Sequence, residues 1–315
     1  MIEFLPLVAS LLIAFSIGSN DTSNSFGICI GCNALEFKKA TTLLFVFVLL
    51  GALLQGEKVM ETVGKELVEV DIYVLSISLL VSAIFIMLSN YKGLPVSSHQ
   101  VIVGSLVGSG FALSYTVNFE TIFKILLSWI ISPFGALFLS ILTYISIEKI
   151  IFRYSTLKAE KLLKALLLIG GVLIAYNTGA NELATALGPV VYYGLLNCTQ
   201  SSVIGSILIW LGVILLSYKV IETIGKGITT LDPRSGFSAQ FGAGLCVWFF
   251  TSIGMPVSTT YCIIGGVSGV GILKGIKTVR KETLRKIVLN WFLTPISSFL
   301  ICLLVASTLT HLNLL

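Results

Sequence analysis

The sequence predicts an all-α polytopic membrane protein made of two inverted-topology repeats, with broken helices or re-entrant hairpins and about 10–12 transmembrane segments. Its 315 residues are 56% hydrophobic and 11% charged, with a mean hydropathy of +0.99. Soluble domains are about 45–50% apolar and about 25% charged. The composition therefore excludes a soluble globular protein, a disordered chain and a nucleic-acid-binding domain.

Apolar stretches of membrane-spanning length recur along the whole chain, and a span needs roughly 20 residues. Two of the stretches are short and rich in Gly and Ser, so they either cross the membrane or form re-entrant hairpins; these are 94–113 and 255–273. The complete set is 4–19, 40–56, 72–91, 94–113, 122–147, 162–178, 203–221, 237–253, 255–273 and 287–309.

The distribution of basic residues predicts the orientation in the cell membrane. With ten net crossings and the N-terminus outside, 17 of the 20 Lys and Arg residues fall in cytoplasmic loops, and only Lys58, Lys65 and Lys124 stay outside. The loop from Glu57 to Asp71, which is acidic on balance, also falls outside. Because cytoplasmic loops carry the excess of Lys and Arg, both termini are expected outside.

The chain repeats itself at a nearly constant offset, which predicts a first repeat over 1–156 and a second over 157–315 within one membrane domain. Three segment pairs match at an offset of 161: 18–27 with 179–188, 58–65 with 219–226, and 93–110 with 254–271. At an offset of 162, Trp129 and Pro133 match Trp291 and Pro295.

Each predicted repeat contains an odd number of net crossings, five, so the second copy is expected upside down relative to the first. Inverted repeats are typical of secondary transporters, whose substrate site lies near the midplane at the repeat interface. The alternative is a duplicated scaffold that transports nothing.

The first pair of polar elements interrupts apolar stretches at 18–25 and 178–185. Asp21 and Glu182 occupy equivalent positions in this pair. A carboxylate inside a membrane costs about 2.5–3.5 kcal/mol on insertion scales and marks a candidate functional site. The alternative is that both carboxylates lie in interfacial loops.

The second pair of polar elements, 93–98 and 254–260, places a proline before a cluster of hydroxyl residues. Such a pattern is typical of a helix N-terminus, which binds anions readily. No Lys or Arg lies inside any of the four elements. The available ligands are carboxylate, amide, hydroxyl and carbonyl oxygens, which suit a hard cation rather than zinc or copper.

At these residues the sequence resembles the inorganic phosphate transporter (PiT) family, in particular its sodium–phosphate symporters. The family motif G-A-N-D-V-A-N-A-x-G is similar to residues 18–27 and 179–188, and the family's P-V-S-T-T-H element is similar to 95–100 and 256–261. The resemblance covers nearly the whole chain. It implies a non-enzymatic importer of phosphate, coupled to sodium or to protons, that forms a homodimer in the lipid bilayer.

Residue by residue, the resemblance assigns one set of side chains to phosphate and another to co-transported sodium, although one residue could serve both. The phosphate set is Asn20, Ser97, Ser98, Ser105, Asn181, Ser258, Thr259 and Thr260. The sodium set is Asp21, Asn24, Glu182 and Thr185.

The chain also departs from the family pattern. Glu182 and Thr185 replace the usual Asp and Asn, while Gln100 and Tyr261 stand where the family's His would fall, with His99 one residue early. Further departures are Val48 and Ile209, where many members carry a functional glutamate, and Gly266, where the second-repeat counterpart of Ser105 lacks its hydroxyl.

Sodium fits the His-poor, oxygen-rich motifs better than protons do. The alternatives are a proton-coupled phosphate or metal–phosphate permease, or a sulfate permease, of the same fold. A lipid phosphotransferase would need a base or nucleophile that the four elements lack, and a passive anion channel would need no cation gradient.

Overall fold

The computed structural model describes residues 4–92, 96–216, 232–275 and 281–314, and for residues 20–23 and 281–288 it describes the backbone alone. Nearly all of the described chain is helical. The helices of the first half are α1 (Phe4–Gly31), α2 (Phe37–Gln55), α3 (Glu57–Glu61), α4 (Ile72–Tyr91), α5 (Ser98–Ala112) and α6 (Phe119–Ile151), with a π-helical turn at Thr62–Glu66. Those of the second half are α7 (Thr156–Asn177), α8 (Ala184–Tyr192), α9 (Cys198–Leu216), α10 (Pro233–Ser252), α11 (Thr259–Lys274) and α12 (Lys281–His311).

Within the described residues, seven helical segments have the length and hydropathy of membrane spans. They are α1, α2, α4, α6, the continuous segment Thr156–Tyr192, α9 and the Leu289–His311 part of α12. Large apolar side chains such as Phe123, Phe134 and Phe138 cover the exposed side of α6. Exposed phenylalanine is stable against lipid and costly against water. The protein is therefore a multi-pass membrane protein.

The helix bounds follow the offset predicted from the sequence. Helix α9 begins and ends 161 residues after α2, and α10 begins and ends 161 residues after α4. The N-caps repeat as well, because Asp71 accepts a hydrogen bond from Tyr73 N (2.8 Å) and Asp232 accepts one from Ser235 N (2.9 Å). The second-half counterpart of α3, in the motif at 219–226, lies outside the described residues.

Helices α4 and α5 form an antiparallel hairpin whose open end is held by backbone hydrogen bonds. Glu69 N donates to Thr116 O (2.9 Å), and Asn118 N donates to Leu67 O (3.0 Å). These bonds bring the residue before α4 beside the residue before α6. The tip of the hairpin is therefore at the other end, between α4 and α5, where residues 93–95 are outside the described part.

Both hairpin tips are buried inside the molecule, which favours the re-entrant alternative for 94–113 and 255–273. At the first tip Ser97, His99 and Gln100 are buried, and at the second tip Ser258 and Thr259 are buried. A re-entrant hairpin returns to the side from which it came, just as two crossings do. The predicted sidedness of every loop is therefore unchanged, and it stays a prediction.

The two halves contact each other reciprocally at positions that the repeat relates. A Cβ on Gly104 of α5 would overlap the carbonyl of Pro295 in α12, and a Cβ on Gly265 of α11 would overlap the carbonyl of Pro133 in α6. Only glycine allows such a close approach of two backbones. Because each contact has a mate with the halves exchanged, the interface between the halves has the self-complementary pattern of a two-fold relation. The division at residue 156 and the inversion stay predictions.

Candidate functional site

The candidate site is centred on Asn181, which lies in the π-helical segment Thr178–Leu183 between α7 and α8. A single π-helical turn inside a longer helix is frequently found at functional sites. The segment falls in the motif 179–188 that the sequence singles out, and Asn181 has no exposed surface.

Asn181 makes all four hydrogen bonds that an amide side chain can make. Its Nδ2 donates to Thr251 Oγ1 (2.7 Å) and to Met255 O (3.0 Å). Its Oδ1 accepts a bond from Val257 N (3.1 Å) and lies 2.7 Å from His99 Nε2. The sequence-based assignment of Asn181 as a phosphate ligand is not tested by this geometry, but in this conformation the side chain is fully used in holding the hairpins.

The tips of the two hairpins therefore meet at one oxygen atom. His99 belongs to the first turn of α5, and Val257 immediately precedes Ser258, the N-cap of α11. Both helices thus begin beside Asn181, and the first amide groups of a helix have no partner within the helix. Two helix N-termini with partial positive charge converge on one buried point.

Two of the predicted phosphate residues present buried hydroxyls at these tips. Ser97 Oγ and Thr259 Oγ1 have no hydrogen-bond partner among the described residues. Ser98 is 8% exposed, and Ser258 Oγ accepts a bond from Tyr261 N (3.4 Å) as an N-cap. Buried hydroxyls without partners cost free energy, so Ser97 and Thr259 have the capacity to bind a ligand.

A contact between α1 and α11 joins the two predicted residue sets. Asn24 Nδ2, from the predicted sodium set, donates to Thr260 Oγ1, from the predicted phosphate set (3.0 Å). Gln240 Nε2 of α10 donates to the carbonyl oxygens of Asn24 and Ser25, both at 2.9 Å. The end of the first polar element is therefore bound to the second hairpin. The side chains of Asn20 and Asp21, in the same element, lie outside the described part of the structure.

The two sodium-set residues of the second repeat are buried beside Asn181 in sequence. Glu182 is 2% exposed and Thr185 is 1% exposed. Thr185 Oγ1 donates to Asn181 O (2.8 Å), which leaves the hydroxyl lone pairs as possible ligands. Among the described residues, Glu182 is the single buried carboxylate, and no Lys or Arg is buried.

The structure does not bring Ser105 to the tips. It is buried in α5, seven residues beyond Ser98, with its hydroxyl beside the Cys302 thiol of α12. Seven residues of helix correspond to about 10 Å along the axis. Sequence reasoning also missed the partners of Asn181. It noted His99 only as a departure from the family pattern, and it gave no role to Thr251 or Gln240.

Outside the membrane segments, charged pairs close the base of the second hairpin. Asp232, before α10, pairs with Lys274 at the end of α11, and Arg234 pairs with Glu148 of α6 (2.9 Å). Partial burial of Asp232 opposes its ionisation, but hydrogen bonds from Lys274 and Ser235 hold the pKa of its carboxyl below the ordinary value. The two arms of the hairpin are therefore bound to each other and to α6.

Comparisons with known proteins point to one family. Residues 17–302 match the phosphate transporter family. A protein of Methanocaldococcus jannaschii described as a phosphate permease is 36% identical over 297 residues, which cover 94% of this chain and 94% of the relative. The sulfate permease CysP of Bacillus subtilis is 31% identical over 317 residues, covering 97% of this chain and 87% of the relative. The solved structure of a sodium-dependent phosphate transporter superposes with a TM-score of 0.85 at 25% identity, covering 98% of this chain and 99% of that chain.

Proposed function

Because this chain belongs to the phosphate transporter family, we propose that it is a secondary active symporter that imports inorganic phosphate together with sodium ions by alternating access. One observation carries the proposal: the tips of two hairpins meet in the interior at Asn181, with the partnerless buried hydroxyls of Ser97 and Thr259 beside them. A site of this kind suits a small anion that is released from water and held by oxygen and nitrogen donors.

Phosphate would be held without a cationic side chain. The N-termini of α5 and α11 would supply backbone N–H groups and partial positive charge. Ser97, Ser98, Thr259 and Thr260 would supply hydroxyl groups. Uncharged donors bind an anion less tightly than Arg or Lys does, which suits a transporter that must also release its substrate.

Sodium would compensate the charge of the buried carboxylates. Glu182 lies next to Asn181 in the chain, and Asp21 is its counterpart in the first repeat. A bare phosphate anion would be repelled by these carboxylates, whereas a sodium ion between carboxylate and phosphate would be attracted to both. Asn24 and Thr185 add amide and hydroxyl oxygens of the kind that hard cations prefer. The structural neighbour, named as a sodium-dependent phosphate transporter, supports sodium over protons.

We further propose that residues 1–156 and 157–315 are the two inverted repeats and that the protein works as a homodimer. The reciprocal contacts of Gly104 and Gly265 support the repeat. The homodimer rests on the family resemblance alone.

A second candidate is a sulfate permease of the same fold, because the relative from Bacillus subtilis is a sulfate permease that covers 97% of this chain. Uptake of radiolabelled phosphate and sulfate into proteoliposomes, with an imposed sodium or proton gradient, decides between the candidates. Phosphate accumulation driven by sodium is expected. Accumulation of sulfate, or accumulation driven by protons alone, would replace the proposal with the corresponding alternative.

A further inference from the structure

His99 has a position that neither the family motif nor the predicted residue sets explain. The family's hydroxyl-rich element carries its histidine one position later, where this chain has Gln100. His99 is 1% exposed and lies at the tip of the first hairpin, where its Nε2 is 2.7 Å from Asn181 Oδ1.

The neighbouring bonds settle which atom donates in this contact. Asn181 Oδ1 accepts the amide proton of Val257, and Asn181 Nδ2 donates to Met255 O, so the amide of Asn181 has one possible orientation. A carbonyl oxygen only accepts. His99 Nε2 must therefore carry a proton and donate it to Asn181 Oδ1.

We propose that His99 is a positioning residue that holds the tip of the first hairpin against the second through the shared acceptor Asn181 Oδ1. The proposal rests on the proposed function. His99 N ε2–H and Val257 N–H occupy the two lone pairs of one oxygen, so the helix N-termini on either side of the anion are held at a fixed separation. Opening the site on the side of the first hairpin requires the bond between His99 and Asn181 to break.

Two consequences follow for transport. The bond stabilises the closed arrangement, in which both helix N-termini face the anion, so its loss weakens phosphate binding. The same loss removes a contact that opening must break, so the maximal rate of transport is not lowered. A residue with a merely structural role would change the amount of folded protein, which lowers the maximal rate and leaves the KM for phosphate unchanged.

Two amide substitutions of similar chemistry separate these outcomes. In His99→Gln the side-chain Nε2 occupies the place of the imidazole Nε2, whereas in His99→Asn the shorter amide reaches only the place of Nδ1. We expect His99→Asn to raise the KM for phosphate about fivefold, which corresponds to about 1 kcal/mol, with an undiminished maximal rate per folded protein. His99→Gln is expected to stay within about twofold of wild type, which corresponds to less than 0.5 kcal/mol.

Ser109→Ala is a matched control, because Ser109 is buried in the same helix and its hydroxyl has no hydrogen-bond partner among the described residues. A second measurement is independent of substrate. Amide hydrogen exchange over residues 255–259 of the purified protein should be faster in His99→Asn than in wild type, since Val257 N–H donates to the oxygen that His99 holds.

The outcomes distinguish the inference from the proposed function. If wild type fails to transport phosphate, the proposed function is wrong, and the exchange measurement still tests the contact between the hairpins. If wild type transports phosphate but His99→Asn and His99→Gln show the same KM and the same exchange over 255–259, His99 is not a positioning residue.

Discussion

Tyr261 donates a hydrogen bond to Gln100 Oε1 at 3.2 Å, and the two residues occupy the same position in the two halves of the chain, 161 residues apart. Gln100 Nε2 in turn donates to Trp291 O (3.3 Å). That carbonyl lies four residues before Pro295, which has no N–H to bond it. Gln100 therefore satisfies a backbone acceptor that the proline leaves free, and Tyr261 orients Gln100 for this purpose.

The bond between Tyr261 and Gln100 predicts a coupled loss of stability. Tyr261→Phe keeps the ring, which stacks at a tilt 5.4 Å from the Trp291 ring, and removes only the hydroxyl donor. We expect a loss of about 1 kcal/mol in the free energy of unfolding, the typical net worth of one hydrogen bond. Thermal unfolding of the purified protein in detergent measures it. Gln100→Leu should cost more, since it also leaves the Trp291 carbonyl unpaired.

A double-mutant cycle tests whether the two residues act together. The double variant Tyr261→Phe with Gln100→Leu should lose less stability than the sum of the single losses. Tyr91→Phe serves as the control, because Tyr91 is 90% exposed. Strictly additive losses would show that the hydroxyl and the amide are not coupled.

The helix architecture could be predicted from the sequence because it depends on local signals. Apolar stretches, N-caps and the offset of 161 residues are all visible along the chain, and the bounds of α2, α4, α9 and α10 follow them. The re-entrant path of the hairpins could not be decided in this way. Length alone is ambiguous for a 15-residue helix such as α5, and only the contact with Asn181 places its tip in the interior.

The internal bonding of the site was not predictable, since it depends on contacts between distant residues. Asn181 bonds His99, Thr251, Met255 and Val257, which are 70 to 82 positions away in sequence. No local pattern marks Thr251 as a partner. The assignment of Ser105 to the phosphate set followed the motif, whereas the helical rise separates Ser105 from the tip.

Anion selectivity is the second prediction. Phosphate at neutral pH is partly protonated and can donate a hydrogen bond, whereas sulfate only accepts. A site with carboxylate and carbonyl oxygens beside the anion can use that proton. Arsenate should compete with phosphate uptake about as well as unlabelled phosphate, and sulfate at least about tenfold less well, the factor expected for one lost hydrogen bond. Equal competition by sulfate and arsenate would favour the sulfate permease.

Membrane orientation is the third prediction, and it rests on the split of basic residues. Lys158, at the start of α7, and Lys65, in the π-helical turn after α3, are both exposed. In a variant without native cysteines, an impermeant thiol reagent should label Lys158→Cys only from the cytoplasmic side and Lys65→Cys only from outside. The exposed pair of Lys65 with Glu61 (3.0 Å) contributes little to stability, so the substitution is tolerated. Labelling of both sites from one side would refute the predicted orientation.

Coupling between sodium and phosphate is the last prediction, and it concerns Asp21 and Glu182. Glu182 is a buried carboxylate next to Asn181, and Asp21 is its counterpart in the first repeat. If these groups hold sodium beside the anion, sodium must tighten phosphate binding by the same factor by which phosphate tightens sodium binding. Coupling of about 1–3 kcal/mol corresponds to about 5- to 150-fold in affinity.

Asp21→Asn and Glu182→Gln keep the size of each side chain and remove its charge. Each should reduce the effect of sodium on the phosphate Kd and abolish most sodium-driven accumulation, while the protein still folds. Phosphate binding to purified protein at increasing sodium concentration measures this effect. Glu160→Gln is the matched control, because Glu160 is exposed and pairs only with Lys164 on its own helix (2.9 Å). Should both variants keep the sodium dependence of wild type, these carboxylates would have a structural or proton-carrying role instead.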